Sequence, residues 1–183
     1  MEKKHLLILS GAPGIEVGNI ADLLQKKLLW THIDMRESLK ESDFKADFYD
    51  GNKNGVKEIS NLIVSLSHVN LESDPSLRTR LIISGFFNSY QVIHIPELID
   101  NFGSPLFQYG LVSLYMSDDA KLEKRLELMS EEINEVALRE NKSFRERSPI
   151  KNEYQIESSS TNEEVVLKII EVLGDSLSYG ASF

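Results

Sequence analysis

Leu6–Leu24 reads LLILSGAPGIEVGNIADLL, and how this stretch folds decides how the whole chain folds. A continuous apolar run is followed by a Gly-Pro-Gly turn and an amphipathic stretch, which predicts strand, loop and helix in immediate succession. That is the layout of a phosphate-binding loop. In the pattern G-x-x-x-x-G-K-S/T, glycine amides cradle phosphate and a lysine neutralises it. Counted from Gly11, the second glycine of the pattern falls on Glu16 and the lysine on Val17. A carboxylate and an isopropyl group stand where phosphates would be held. The loop has the backbone signature of a phosphate site without its charge.

Outward from this segment, strands and helices alternate. His5–Leu9 is apolar throughout, as in a central parallel strand buried on both faces. In the helix after the loop, Ile20, Leu23, Leu24 and Leu28 recur at core-facing spacing, with Asp22, Gln25, Lys26 and Lys27 outside. Trp30–Asp34 reads as a short strand leading into a helical stretch from Met35 to about Lys40. Residues 42–54 read as a loop and 55–69 as a helix, stopped near Pro75. Arg80–Ser84 and Gly110–Met116 are two further buried strands, and Glu153–Glu157 a last short one. The GFFNS turn at 85–89 precedes a helix around Val92–Ile99. Ser117-Asp118-Asp119 caps one long charged helix that carries Leu122, Leu126, Met129, Ile133 and Val136 at helical steps. Thr161-Asn-Glu-Glu164 fits a capping box opening the final helix, which ends near Gly174. The tail 175–183 is small and polar and is expected to be flexible. This alternation predicts right-handed crossovers and a mostly parallel sheet with helices on both faces, a three-layer α/β/α arrangement.

Composition narrows the function classes. The 183 residues suit one domain, with 41% hydrophobic and 27% charged residues and a net charge of −9. That charge argues against non-specific nucleic-acid binding and against docking on an anionic membrane. The chain has no cysteine, which removes disulfides and thiolate metal sites. No apolar run reaches membrane-spanning length, so no membrane insertion is expected. An intracellular, cytoplasmic protein is the expectation.

GAPGIEVGN at 11–19, THIDMR at 31–36, LIISGFFN at 81–88 and LYMSDDAKLEKRL at 114–126 together resemble, in order and spacing, the adenylate kinase family of nucleoside monophosphate kinases. The resemblance runs along most of the chain. It implies the P-loop NTPase fold, with a five-stranded parallel sheet in the order 2-3-1-4-5. It also implies a single domain over residues 1–174, with a monophosphate-binding arm at about 35–70 and a short lid at about 130–152. The departures fall on the chemistry. Val17 stands in place of the family's loop lysine and Glu16 in place of a glycine. Ser84 replaces the aspartate that organises magnesium, and Asn88 the arginine that grips the monophosphate. Gly11, Pro13, Gly14, Gly18 and Asn19 complete the degenerate loop. Arg36, Arg139, Arg145 and Arg147 lie where the family keeps anion-binding arginines, although Glu140 and Glu146 offer local charge pairing along the helix.

The expectation is a catalytically degenerate adenylate kinase-like protein acting as a structural or partner-binding module, with a protein partner and no cofactor. The alternatives are a working kinase with an atypical loop, using ATP and magnesium, or a nucleotide sensor. Glu16 is read first as a helix N-terminal carboxylate complementing the dipole, and second as a holder of a cation or basic side chain. A dinucleotide site built on Gly11, Gly14, Gly18 and Asp34 fits the glycine spacing poorly. The four histidines have no metal-ligand spacing, so no metal is expected.

Overall fold

The computed structural model describes residues 4–38, 80–86, 88–103, 107–127 and 131–177. Strand β1 (Lys4–Gly11) lies at the centre of a five-stranded sheet. Leu6, Leu7, Ile8 and Leu9 are each at most 2% exposed, as an unbroken apolar run must be when helices cover both faces. Beside β1 lie β3 (Arg80–Phe86) and β4 (Phe107–Tyr115), and β2 (Thr31–Asp34) and β5 (Glu153–Glu157) form the edges. All neighbours pair in parallel in the order β2-β3-β1-β4-β5, which is the order that the family resemblance implies. The register between β1 and β3 slips beyond Ile8↔Ile83, resuming at Ser10↔Phe86. One residue of β1 therefore faces two of β3, a bulge at Ser84-Gly85, and Gly85 takes φ +104°. Gly85 and Phe86, expected in a turn, thus belong to the strand.

Helix α1 (Val17–Leu28) follows the loop, and α2 (Met35–Ser38) is a single turn. The chain continues through α3 (Ser89–Gly103), α4 (Asp119–Leu126), α5 (Glu131–Glu146) and α6 (Asn162–Leu177). α1 packs on α6, and α3 on α5, giving the outer layers. The long charged helix expected after Asp119 is two helices instead. α5 runs back along α4, so that Asn141 and Arg145 near its end reach Asp119 at the start of α4. The apolar steps that suggested one helix serve two, because Leu122 and Leu126 are buried on α4 and Ala137 and Phe144 on α5. The segment expected as a lid, 130–152, is largely α5 and its exit turn. α6 passes through Gly174 to Leu177, since nothing crowds Gly174 and a helix interior tolerates the residue at modest cost. The loop at 42–54, the helix at 55–69, its stop at Pro75, most of the 35–70 arm and the tail beyond Leu177 lie outside the described residues.

The expected caps are present. Asp118 accepts from the Ala120 and Lys121 amides at the start of α4. Thr161 Oγ1 accepts from the Glu164 amide while Glu164 Oε2 accepts from the Thr161 amide, both halves of a capping box.

A buried polar chain crosses β1, β4 and β5. Ser10 Oγ lies 3.0 Å from Ser113 Oγ, Ser113 donates to Glu153, and Arg147 clasps Glu153 with both terminal nitrogens, Nη1 at 2.6 Å from Oε2. The Glu153 side chain has no exposure. Burial drives its pKa up, but hydrogen bonds from Arg147, Ser113 and the Ile150 amide, with the Arg147 charge, outweigh burial and hold it below the usual glutamate range. A depressed folded-state pKa contributes stability that is present above the unfolded-state value, about 4.5, and is lost as pH falls through the folded value. The urea midpoint will therefore drop on acidification below about pH 4.5, and less steeply in Glu153→Gln. Equal acid limbs in the two proteins would contradict this assignment.

Candidate functional site

The loop after β1 keeps its turn. Gly14 takes φ +86°, a conformation few residues other than glycine adopt, and the Ile15 amide donates to Ala12 O at 3.1 Å. Glu16, at φ −78° and ψ 53°, is the centre of an inverse γ-turn in which the Val17 amide donates to Ile15 O at 2.8 Å. The amides of Ile15 and Val17 are therefore engaged within the loop. Val17 is 2% exposed and belongs to the core. Its Cγ2 lies only 3.0 Å from where a Cβ on Gly11 would be, so the isopropyl group folds back against the strand end. Leu122 and Leu126 of α4 press on Gly14 from outside. Glu16 turns outward, and its Oε2 accepts from Asn162 Nδ2 at 2.8 Å at the first residue of α6. It joins two helix N-termini.

Beside the loop, Gly18, Asn19, Asp22, Gln25, His32 and Asp34, with Ile33 and Glu37, line an open cleft of about 540 Å³. The described lining holds three carboxylates and no lysine or arginine. Pro13 is half-buried, and Asn19 is exposed at the cleft mouth.

His32 bridges two residues that sequence reading had not connected. Its Nδ1 lies 2.7 Å from Asp22 Oδ1 and its Nε2 lies 2.8 Å from Ser84 Oγ. An ionised Asp22 only accepts, so the Nδ1 proton belongs to the ring; on the neutral ring, Nε2 accepts from the Ser84 hydroxyl. The His32 ring is 7% exposed and Asp22 58% exposed, while Ser84 is fully enclosed. Asp22 comes from the outer side of α1, His32 from the edge strand β2, and Ser84 from the bulge in β3. No sequence signal could have found this chain, because 52 residues separate His32 from Ser84 and strand pairing alone brings them together.

Arg139, Arg145 and Arg147 are engaged elsewhere. Arg147 pairs with Glu153 and lies 5.6 Å from the Phe144 ring centroid. Arg145 reaches Asp119 Oδ1 at 3.0 Å and the Met116 and Ser117 carbonyls at 3.3 Å. Arg139 is exposed and contacts Glu140 through Nε at 3.4 Å. Glu140 and Glu146 do pair locally, Glu140 with Arg139 and Glu146 with Arg145 Nη2 at 3.7 Å, as adjacent residues and not at i,i+4 spacing; for Arg145 and Arg147 the main partners come from other elements. Arg36 falls on α2. Asn88 caps α3, its Oδ1 accepting from the Tyr90 amide at 2.8 Å. Next to it the Glu140 carboxylate accepts from the Ser89 amide and hydroxyl at 3.0 and 3.1 Å, a favourable charge at the start of α3. Among the described residues, no group of three or more His, Cys, Asp or Glu is arranged to hold a metal ion, and no helix is long and apolar enough to cross a membrane.

No protein-family model matches the sequence, and no curated protein matches it. Solved structures do match. A gluconokinase from Sinorhizobium meliloti 1021 superposes with a TM-score of 0.61 at 9% identity, covering 96% of this chain and 95% of that one. A sugar kinase from Janibacter sp. HTCC2649 gives 0.62 at 8% identity, over 94% and 95%. A shikimate kinase from Bacteroides thetaiotaomicron gives 0.54 at 16% identity, over 92% and 98%. At these identities the likeness is one of fold, the three-layer fold of the P-loop kinases.

Proposed function

We propose that this protein is a catalytically degenerate, adenylate kinase-like member of the P-loop kinase fold, acting as a structural or partner-binding module inside the cell, in the cytoplasm. The observation that carries the reading is the burial of Val17 in the loop where a phosphate-binding lysine would reach forward. Phosphoryl transfer depends on positioned positive charge. At an effective dielectric near 20, unlike charges about 4 Å apart attract by roughly 4 kcal/mol, so losing the lysine alone forfeits about a thousand-fold in rate. Ser84 and Asn88 remove two further charged groups that the family resemblance would supply, and each has a local partner instead. A single domain over residues 1–174 is part of this reading, as is the absence of a resident cofactor and of nucleic acid among its ligands. Support for a protein partner comes from α3, whose outer side presents Ile93 and Tyr90, the latter edge-on to His94 with ring centroids 4.5 Å apart. Exposed aromatic and aliphatic side chains together favour a protein surface as the counterpart.

Calorimetric titration with ATP and magnesium, paired with a phosphoryl-transfer assay over the nucleoside monophosphates, tests the proposal. No binding heat and no transfer are expected. The double variant Glu16→Gly, Val17→Lys should acquire measurable ATP affinity without turnover, because Ser84 and Asn88 remain. Turnover by the unaltered protein on the order of 1–100 per second would replace this reading with that of a working kinase. Tight ATP binding without turnover would make it a nucleotide sensor.

A further inference from the structure

We infer that Asp22, His32 and Ser84 form a hydrolytic triad, with Ser84 Oγ as the nucleophile for small acyl esters of neutral or positive charge. The inference stands on geometry independent of the nucleotide question. A serine hydroxyl becomes nucleophilic when a general base sits within hydrogen-bond reach and a third group fixes that base in the correct tautomer. Here the base nitrogen is 2.8 Å from Ser84 Oγ and the fixing carboxylate is 2.7 Å from the other ring nitrogen. The same residues contribute in the required roles. His32 Nε2 accepts the serine proton, and Asp22 is a positioning residue that holds the Nδ1 proton in place.

A cleft adjoins the base and the positioning residue, though not Ser84 itself. His32 and Asp22 line the cleft, and the hydroxyl lies behind the His32 ring. Its enclosure restricts the substrate to small acyl groups entering past that ring. The exposed Asp22 carboxylate on the lining disfavours anionic esters, which sets the charge class. Ser84 sits at the bulge, followed by Gly85 at φ +104°, so the backbone there departs from regular strand pairing. Departures of this kind at strand ends re-aim side chains and accompany active sites.

The chemistry closes without a further reagent. Ser84 Oγ bonds to the carbonyl carbon as its proton passes to His32 Nε2. The ester C–O bond then breaks and the departing alkoxide takes that proton, leaving an acyl-serine. Water adds to the acyl carbon, giving its proton to Nε2. The Ser84 C–O bond breaks and the proton returns to Oγ. Ester and water become acid and alcohol.

A neutral fluorophosphonate probe on the full-length protein, followed by intact-mass and peptide mapping, tests the inference, with 4-nitrophenyl acetate hydrolysis in parallel. One phosphonyl group on Ser84 is expected, together with acetate release that Ser84→Ala abolishes. Asp22→Asn, a change at an exposed position, should slow labelling by about 10²–10⁴-fold while leaving the urea midpoint unchanged. His32→Gln should slow it at least as far. Absence of label on Ser84, label confined to other residues, or labelling unaffected by Asp22→Asn would each overturn the inference. In that event the three residues serve as a hydrogen-bonded pin joining α1, β2 and β3. ATP binding or its absence bears on the preceding proposal alone.

Discussion

Replacing Arg147 by alanine will lower stability by about 3–5 kcal/mol, the usual cost of leaving a buried charge without its partner. The Glu153 carboxylate has no exposure and the Arg147 side chain 13%. Once the guanidinium is gone, the carboxylate keeps only Ser113 and the Ile150 amide, 2.9 Å from Oε2. Two neutral donors do not compensate an ion held out of water. Packing is lost as well, since the guanidinium lies over Phe144. Urea unfolding of Arg147→Ala at neutral pH measures the loss. The double variant Arg147→Met, Glu153→Leu should recover most of it, because an apolar pair carries no desolvation penalty and a buried ion pair is often replaceable this way. A single-variant loss below about 1 kcal/mol, the range of surface pairs, would show that water reaches Glu153 readily.

Gly14→Ala will cost about 2–5 kcal/mol, through two separable effects. An L-residue held at positive φ loses about 1–2 kcal/mol, and Gly14 sits at φ +86°. The added Cβ would also lie 2.7 Å from Leu126 Cδ2 and 3.0 Å from Leu122 Cδ1, and overpacking of this kind costs about 1–3 kcal/mol. Leu126→Ala in the same chain relieves the larger part of the second effect and leaves the first, so the two changes should cost less together than the sum of each alone. Gly174→Ala supplies the opposite control. That glycine is inside α6 with nothing within 4 Å of a new Cβ, and the change should stabilise by about 0.4–1 kcal/mol. Equal effects at the two glycines in thermal unfolding would remove the argument that α4 clamps the loop.

The elements themselves were legible because their causes are local. The unbroken apolar run Leu6–Leu9, closed by glycines, read as a strand buried on both faces, and the Gly11–Gly14 turn followed from the glycine and proline spacing. Thr161 and Glu164 marked the start of α6, since a capping box is satisfied within four residues. The alternation of strand and helix limited the topology to right-handed parallel crossovers. Three features lay beyond such reasoning. The division between α4 and α5 depends on what each apolar row packs against, and a row of leucines at helical steps reads the same in one helix or two. The partners of Arg145 and Arg147 depend on α5 turning back along α4 and on β5 lying beside β4, neither of which a local charge pattern contains. The Asp22–His32–Ser84 chain needs β2 beside β3 in register His32↔Ile82 and Asp34↔Ser84, which puts His32 and Ser84 on one face of the sheet. Periodicity and capping are short-range and are written in consecutive residues. Which polar groups meet is set by strand order and register, and these exist only once the core of the sheet has closed.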